Sequence, residues 1–298
     1  MIYEFLSNQI SISTQETDTY ESNIEFKLKF VEELFTSSVA GWPEKQRNTM
    51  RFQVDSGDSV SPVVRAFPGG SYRIIFPVKM VFELESIIFG KEVQSHEKDS
   101  FETRIVLIAL ILCLYHELLH CLRGHLDEDL SSSKSEETDA DFMAGGSLWG
   151  CINNQSSLLA QHGFGDVQQT AYEIGYASTI LCVLFQKYHS EGDGYHLPHQ
   201  RLLTLIAGYM NPILQKHGDY AALIVGRLQE SGINDAKEFL KTSEYSVYVD
   251  KLFDNESNQK DYFEVIGETQ KKRDKDIDIW HRASFLLEPI RHLLSKNK

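Results

Sequence analysis

"LYHELLHCLRGH", Leu114–His125, is the stretch on which the reading of this chain turns. On an α-helix, residues four apart lie one above the other on the same face, so His116 and His120 can aim both rings at one point. Glu117 is rotated about 100° from His116 and flanks that point rather than occupying it. Two imidazoles and a flanking carboxylate are half of a catalytic zinc site: zinc lowers the pKa of its water to about 7, and the carboxylate takes the released proton. The competing reading is an ordinary helix that carries polar residues. With 11 histidines in 298 residues, this spacing arises by chance in on the order of a few per cent of such chains. A third ligand therefore has to decide.

The stretch is preceded by "IVLIALILCLY", Ile105–Tyr115. A helix apolar all round is a core helix or a membrane span. This run is shorter than the ~20 residues a span needs, and lengthening it would draw His116, Glu117 and His120 into lipid at high cost. It is predicted as a buried core helix, with no membrane partner. The N-terminus "MIYEFLSNQISISTQ" lacks the basic start and long apolar run of a signal peptide. The four cysteines, Cys113, Cys121, Cys151 and Cys182, form no C-x-x-C pair and sit among apolar neighbours, as buried free thiols in a reducing compartment do. A cytoplasmic chain is the expectation. The net charge of -14 argues against a nucleic-acid partner and gives no support for anionic membrane binding.

Two downstream segments compete to supply the third ligand. In the H-E-x-x-H-x-x-G-x-x-H pattern a histidine follows the second ligand by six residues. Here His125 follows His120 by five, so the spacing fails, and Gly124 reads as the helix stop. The stronger source is "SKSEETDADFMA", Ser133–Ala144. Ser133 and Glu136 have the form of a capping box, which commits Glu136 to the helix start. Glu137 and Asp141 then share a face, beside the small Ala140 and Ala144. Glu137 can be the third ligand, and Asp141 can accept a hydrogen bond from the remote nitrogen of a ligating histidine. An acidic, solvated helix start favoured by the macrodipole is the alternative.

"HELLH" followed by "ETDAD" resembles the H-E-x-x-H … E-x-x-A-D signature of gluzincin metallopeptidases, including the membrane-bound HtpX type. The fuller "HELLHCLRGH … EETDADFMA" is most similar to the soluble Lit-type phage-exclusion peptidases. The resemblance covers roughly residues 101–205. It implies His116, His120 and Glu137 as zinc ligands, Glu117 as the general base, and a protein or peptide substrate in a phage-defence setting. "GYHLPHQRLL", Gly194–Leu203, resembles the His-Pro segment with a downstream arginine of HtpX-like peptidases, except that Leu197 separates His196 from Pro198. Pro198 suits the first turn of a helix. Tyr195, His196, His199 and Arg201 would then gather near a helix N-terminus, where an oxyanion is stabilised. The alternatives are a plain helix cap with exposed histidines, and an Arg201 engaged with an acid near the zinc site.

The fold class expected is α+β. Residues 1–100 read as a β-rich part, from "IEFKLKF", "SVSPVVRAF" and "YRIIFPVKMVFEL" separated by turn formers. "YRIIFPVKM" is the candidate edge strand on which an extended substrate aligns. Residues 101–215 read as a helical zincin-like catalytic core and 216–298 as a further helical region. The expected function is zinc-dependent hydrolysis of peptide bonds. Other readings are a zinc-binding regulator or sensor without turnover, a regulatory protease acting on a repressor, and a closed structural zinc site that includes Cys113.

Overall fold

The computed structural model describes residues 2, 5, 14–90, 97–123, 134–154, 157–189 and 197–253. The expected helix stop at Gly124, the Ser133 cap, and residues 254–298 of the expected C-terminal helical region lie outside them. The chain folds as an α+β protein. The elements are α1 (Thr14–Ala40), α2 (Glu44–Arg47), β1 (Met50–Asp55), β2 (Val63–Phe67) and β3 (Ser71–Pro77), followed by α3 (Val78–Phe89). Then come α4 (Phe101–Arg123), α5 (Lys134–Asn153), α6 (Ser157–Ala160), α7 (Val167–Tyr188), α8 (Pro198–Lys241) and α9 (Ser246–Phe253).

The strand expected at "IEFKLKF" is instead part of α1. Its apolar residues alternate, which mimics a strand, but the buried positions Tyr20, Ile24, Lys27, Leu28, Val31, Leu34 and Phe35 recur with helical period. Lys27 is the reason the period was hidden. It occupies a core position as a charged residue, its Nζ 2.7 Å from Glu85 on α3, with both side chains 1% exposed. The β content of the N-terminal part is one three-stranded sheet, in the order β1-β3-β2.

In that sheet β1 runs parallel to β3, with Phe52 beside Ile74, and β2 runs antiparallel to β3, with Val64 beside Ile74. Pro68, Gly69 and Gly70 close the β2–β3 hairpin, both glycines at positive φ where a side chain would be strained. The candidate edge strand "YRIIFPVKM" is therefore corrected. Its strand portion, β3, is the central strand, and Pro77 ends it at the start of α3. Side-chain alternation cannot distinguish a central from an edge strand when pairing is set by residues far away in sequence. The edges among the described strands are β1 and β2.

Helix α4 is the axis of the molecule. Every residue from Thr103 to His120 is buried, and α1, α3, α5, α7, β2 and β3 all pack on it. The helix is longer than the run that announced it. Phe101–Leu122 is long and apolar enough to cross a membrane, yet 94% of its most apolar window is covered by the protein itself. Arg104 fixes α4 against α7 through Glu173, with Nη2 2.7 Å from Oε1. Asp166 caps α7 by accepting from the amides of Gln168 and Gln169. Pro198 opens α8 as expected. The boundary expected between residues 215 and 216 falls inside α8, just before the kink at Gly218. One apolar core runs from Phe5 to Leu252.

Candidate metal centre

Helix α4 presents His116 and His120 on one face, and the first turns of α5 bring Glu137 across from them. The Nε2 atoms of the two histidines are 3.0 Å apart. Glu137 Oε2 lies 3.2 Å from His116 Nε2, and Oε1 lies 3.5 Å from His120 Nε2. The three side chains form a buried group able to hold a metal ion. For an ion bonded at about 2.0–2.1 Å in a tetrahedral shell, the donors stand about 3.3 Å apart. The three observed separations bracket that value. Cys113 is not a member of the group, so the closed site that would include it gains no support among the described residues.

Charge gives an independent test of the fit. The cavity at this centre is lined by three carboxylates, Glu117, Glu137 and Asp141, and by one guanidinium, that of Arg201. With both imidazoles neutral and all three acids ionised, the set would carry two uncompensated negative charges in a site where the acids are at most 7% exposed. Buried charge is costly unless matched. A dication matches it.

Without the ion, the side chains compensate one another. Burial opposes a charge on His116, but Asp141 and Glu137 outweigh it and push the ring up to about 10. Burial works against ionised Glu137 as well, and the two histidines override it and hold its carboxyl well below the usual carboxylate range. Glu117 responds differently. Burial raises its carboxyl, and His116, His120 and a backbone hydrogen bond from Val64 of β2 only partly offset this. A carboxylate raised toward neutrality is suited to exchanging protons.

Asp141 sits behind His116. Its Oδ1 is 2.8 Å from His116 Nδ1, a separation at which a protonated nitrogen is stable beside a carboxylate and a lone pair is not. This tautomer leaves Nε2 free to ligate. The other partner of Asp141 is Arg201, whose Nε meets Oδ2 and whose Nη2 meets Oδ1, both at 2.8 Å. Of the roles considered for Arg201, the structure displays the ion pair with an acid near the centre. Its fork is engaged there and lies over the Phe185 ring, 4.5 Å from the centroid.

The other sequence candidates fare unequally. His199 is half-buried on the first turn of α8, its ring pushed down by burial, and it is not among the residues lining the cavity. Tyr195 and His196 lie outside the described residues. The pattern missed the rest of the cavity wall. Ser61, Pro62, Val63 and Val64 line it from β2 and the turn before it, and Leu112, Leu181, Phe185 and Leu205 line it from α4, α7 and α8. Nothing in the sequence separated these apolar residues from ordinary core. Searches of protein families, curated proteins and solved structures find no match to this chain.

Proposed function

We propose that the protein is a zinc-dependent endopeptidase that hydrolyses peptide bonds of a protein substrate. The observation that carries this reading is the convergence of His116, His120 and Glu137 within one cavity that Glu117 also lines. Zinc, when bound, supplies a Lewis acid and makes water acidic near neutral pH. His116, His120 and Glu137 would hold the ion. Glu117 takes the proton from the attacking water and passes it to the leaving amine. Its raised proton affinity, caused by burial, supports both halves of that transfer. Leu112, Leu181, Phe185 and Leu205 make the surrounding wall apolar, which strengthens the electrostatics of the step.

β2 supports the alignment of an extended substrate. Among the described strands it is at an edge, its residues Val63 and Val64 line the cavity, and it hydrogen-bonds Glu117. A peptide added to its free edge would run past the base, with backbone hydrogen bonds supplying affinity. The phage-defence setting rests on the Lit-type resemblance.

Glu117→Gln tests the reading. The variant should retain one zinc per chain and lose cleavage by about 10²–10⁴-fold. The substrate is sought as new N-termini in the proteome of cells that express the protein, compared with cells that express the variant. Identical N-termini in both, with zinc bound in both, would leave a zinc-binding regulator as the better description.

A further inference from the structure

Asp141 Oδ1 serves two partners at once, His116 Nδ1 and Arg201 Nη2, each at 2.8 Å. A carboxylate held by a single contact can still turn about its own side-chain bonds. The second bond from Arg201 Nε to Oδ2 fixes the plane of the group, and with it the place of Oδ1. That fork geometry is specific to arginine, since a lysine ammonium is a point charge. The fork is itself held, with its side chain 12% exposed and seated on Phe185. We propose that Arg201 is a positioning residue of the metal centre: it clamps Asp141 so that His116 presents Nε2 to the ion. The inference rests on the metal-binding part of the reading above and not on peptidase activity.

Two roles for Arg201 predict opposite signs. A guanidinium that acts only as a charge repels a nearby dication, so its removal should tighten metal binding. A guanidinium that acts as a clamp should, when removed, let Asp141 and the His116 ring drift, and binding should weaken. Loss of an outer partner of a metal ligand typically costs about 10–100-fold in affinity.

The test is Zn²⁺ affinity, by competition with a chromophoric chelator, for the parent protein, R201K, R201M, D141N and D141N/R201K. The visible spectrum of the Co²⁺-loaded forms accompanies it. R201K and R201M should each weaken Zn²⁺ by about 10-fold or more and change the Co²⁺ bands, although R201K keeps the charge. In the D141N background the added R201K change should have little further effect, because the clamp has nothing left to hold. R201M binding Zn²⁺ as tightly as the parent, or more tightly, overturns the proposal. If R201M does not fold by circular dichroism, R201K decides by the same criterion. A parent protein that binds neither ion removes the metal centre itself, an outcome distinct from a parent that binds and variants that bind equally well.

Discussion

Gly208 of α8 lies against the backbone of Phe142 on α5, so closely that a Cβ on Gly208 would collide with the Phe142 carbonyl oxygen. Gly145, one turn further along α5, meets the backbone of Leu205 and Tyr209 in the same way. This contact sets the separation of the two helices. It also bears on the candidate metal centre, because Phe142 follows Asp141 directly and Arg201 lies two turns before Gly208 on the same face of α8.

Gly208→Ala should therefore act at two levels. Forcing the helices apart should destabilise the protein by roughly 1–3 kcal/mol, read from urea unfolding. It should also weaken Zn²⁺ binding, because Arg201 is carried away from Asp141. A variant less stable but unchanged in metal affinity would separate the helix contact from the centre it is argued to support.

How much of this the sequence disclosed depends on how local each relation is. The two histidines and Glu117 are set by helix geometry within one turn, and they were legible. Glu137 and Asp141 were legible as a pair one turn apart that could meet the two histidines, while which histidine Asp141 contacts, His116, followed only from the fold. α1 was misread because one buried lysine broke the apolar period, and the salt bridge that accommodates it comes from Glu85, 58 residues later. The central place of β3 was hidden because its pairing with β1 spans a long connection. The contact between Gly208 and Phe142 left no local mark, since a glycine within a helix signals only that something comes close.

The three side chains able to hold an ion, His116, His120 and Glu137, should outrank all other residues in their effect on metal binding. His116→Ala, His120→Ala and Glu137→Gln should each reduce Zn²⁺ affinity by more than the ~10–100-fold typical of losing an outer partner. For the parent protein, free Zn²⁺ at about 100 times its dissociation constant should add about 2.7 kcal/mol to stability. For His120→Ala the same concentration should add almost nothing. A full zinc-dependent gain in that variant would mean the ion sits elsewhere.

The Lys27–Glu85 pair gives a prediction remote from the centre. Lys27→Met leaves the Glu85 carboxylate buried without its cation, a change that typically costs about 3–5 kcal/mol. Burial already raises Glu85 and Lys27 only partly offsets it, so the single variant should recover part of the loss in mild acid as the carboxyl takes up a proton. Replacing both residues, as Lys27→Met with Glu85→Leu, should come close to the parent or exceed it. Unfolding of the three proteins at pH 7 and pH 5 checks this, and a double variant as unstable as the single one would count against it.

In the metal-free protein the two partners of Asp141 also fix the direction of its pH dependence. Burial works against its charge, but Arg201 and His116 prevail and hold the carboxyl down at about 2, below the ordinary 3.8. A depressed acid stabilises fully above its unfolded value and loses that contribution as pH falls through its folded value. The stability difference between the parent and Asp141→Asn should therefore shrink by roughly 2 kcal/mol between about pH 5 and pH 2. At the alkaline end the sign reverses. His116 is held up at about 10 against an ordinary 6.5, so its contribution is full below about pH 6.5 and is lost as pH rises to about 10. On the proposed reading zinc binds His116 at Nε2 in place of a proton, so saturating zinc should remove this alkaline loss between pH 7 and pH 9. Urea midpoints measured across both ranges, with and without zinc, test the two arms separately, and an alkaline slope that zinc leaves unchanged would detach His116 from the ion.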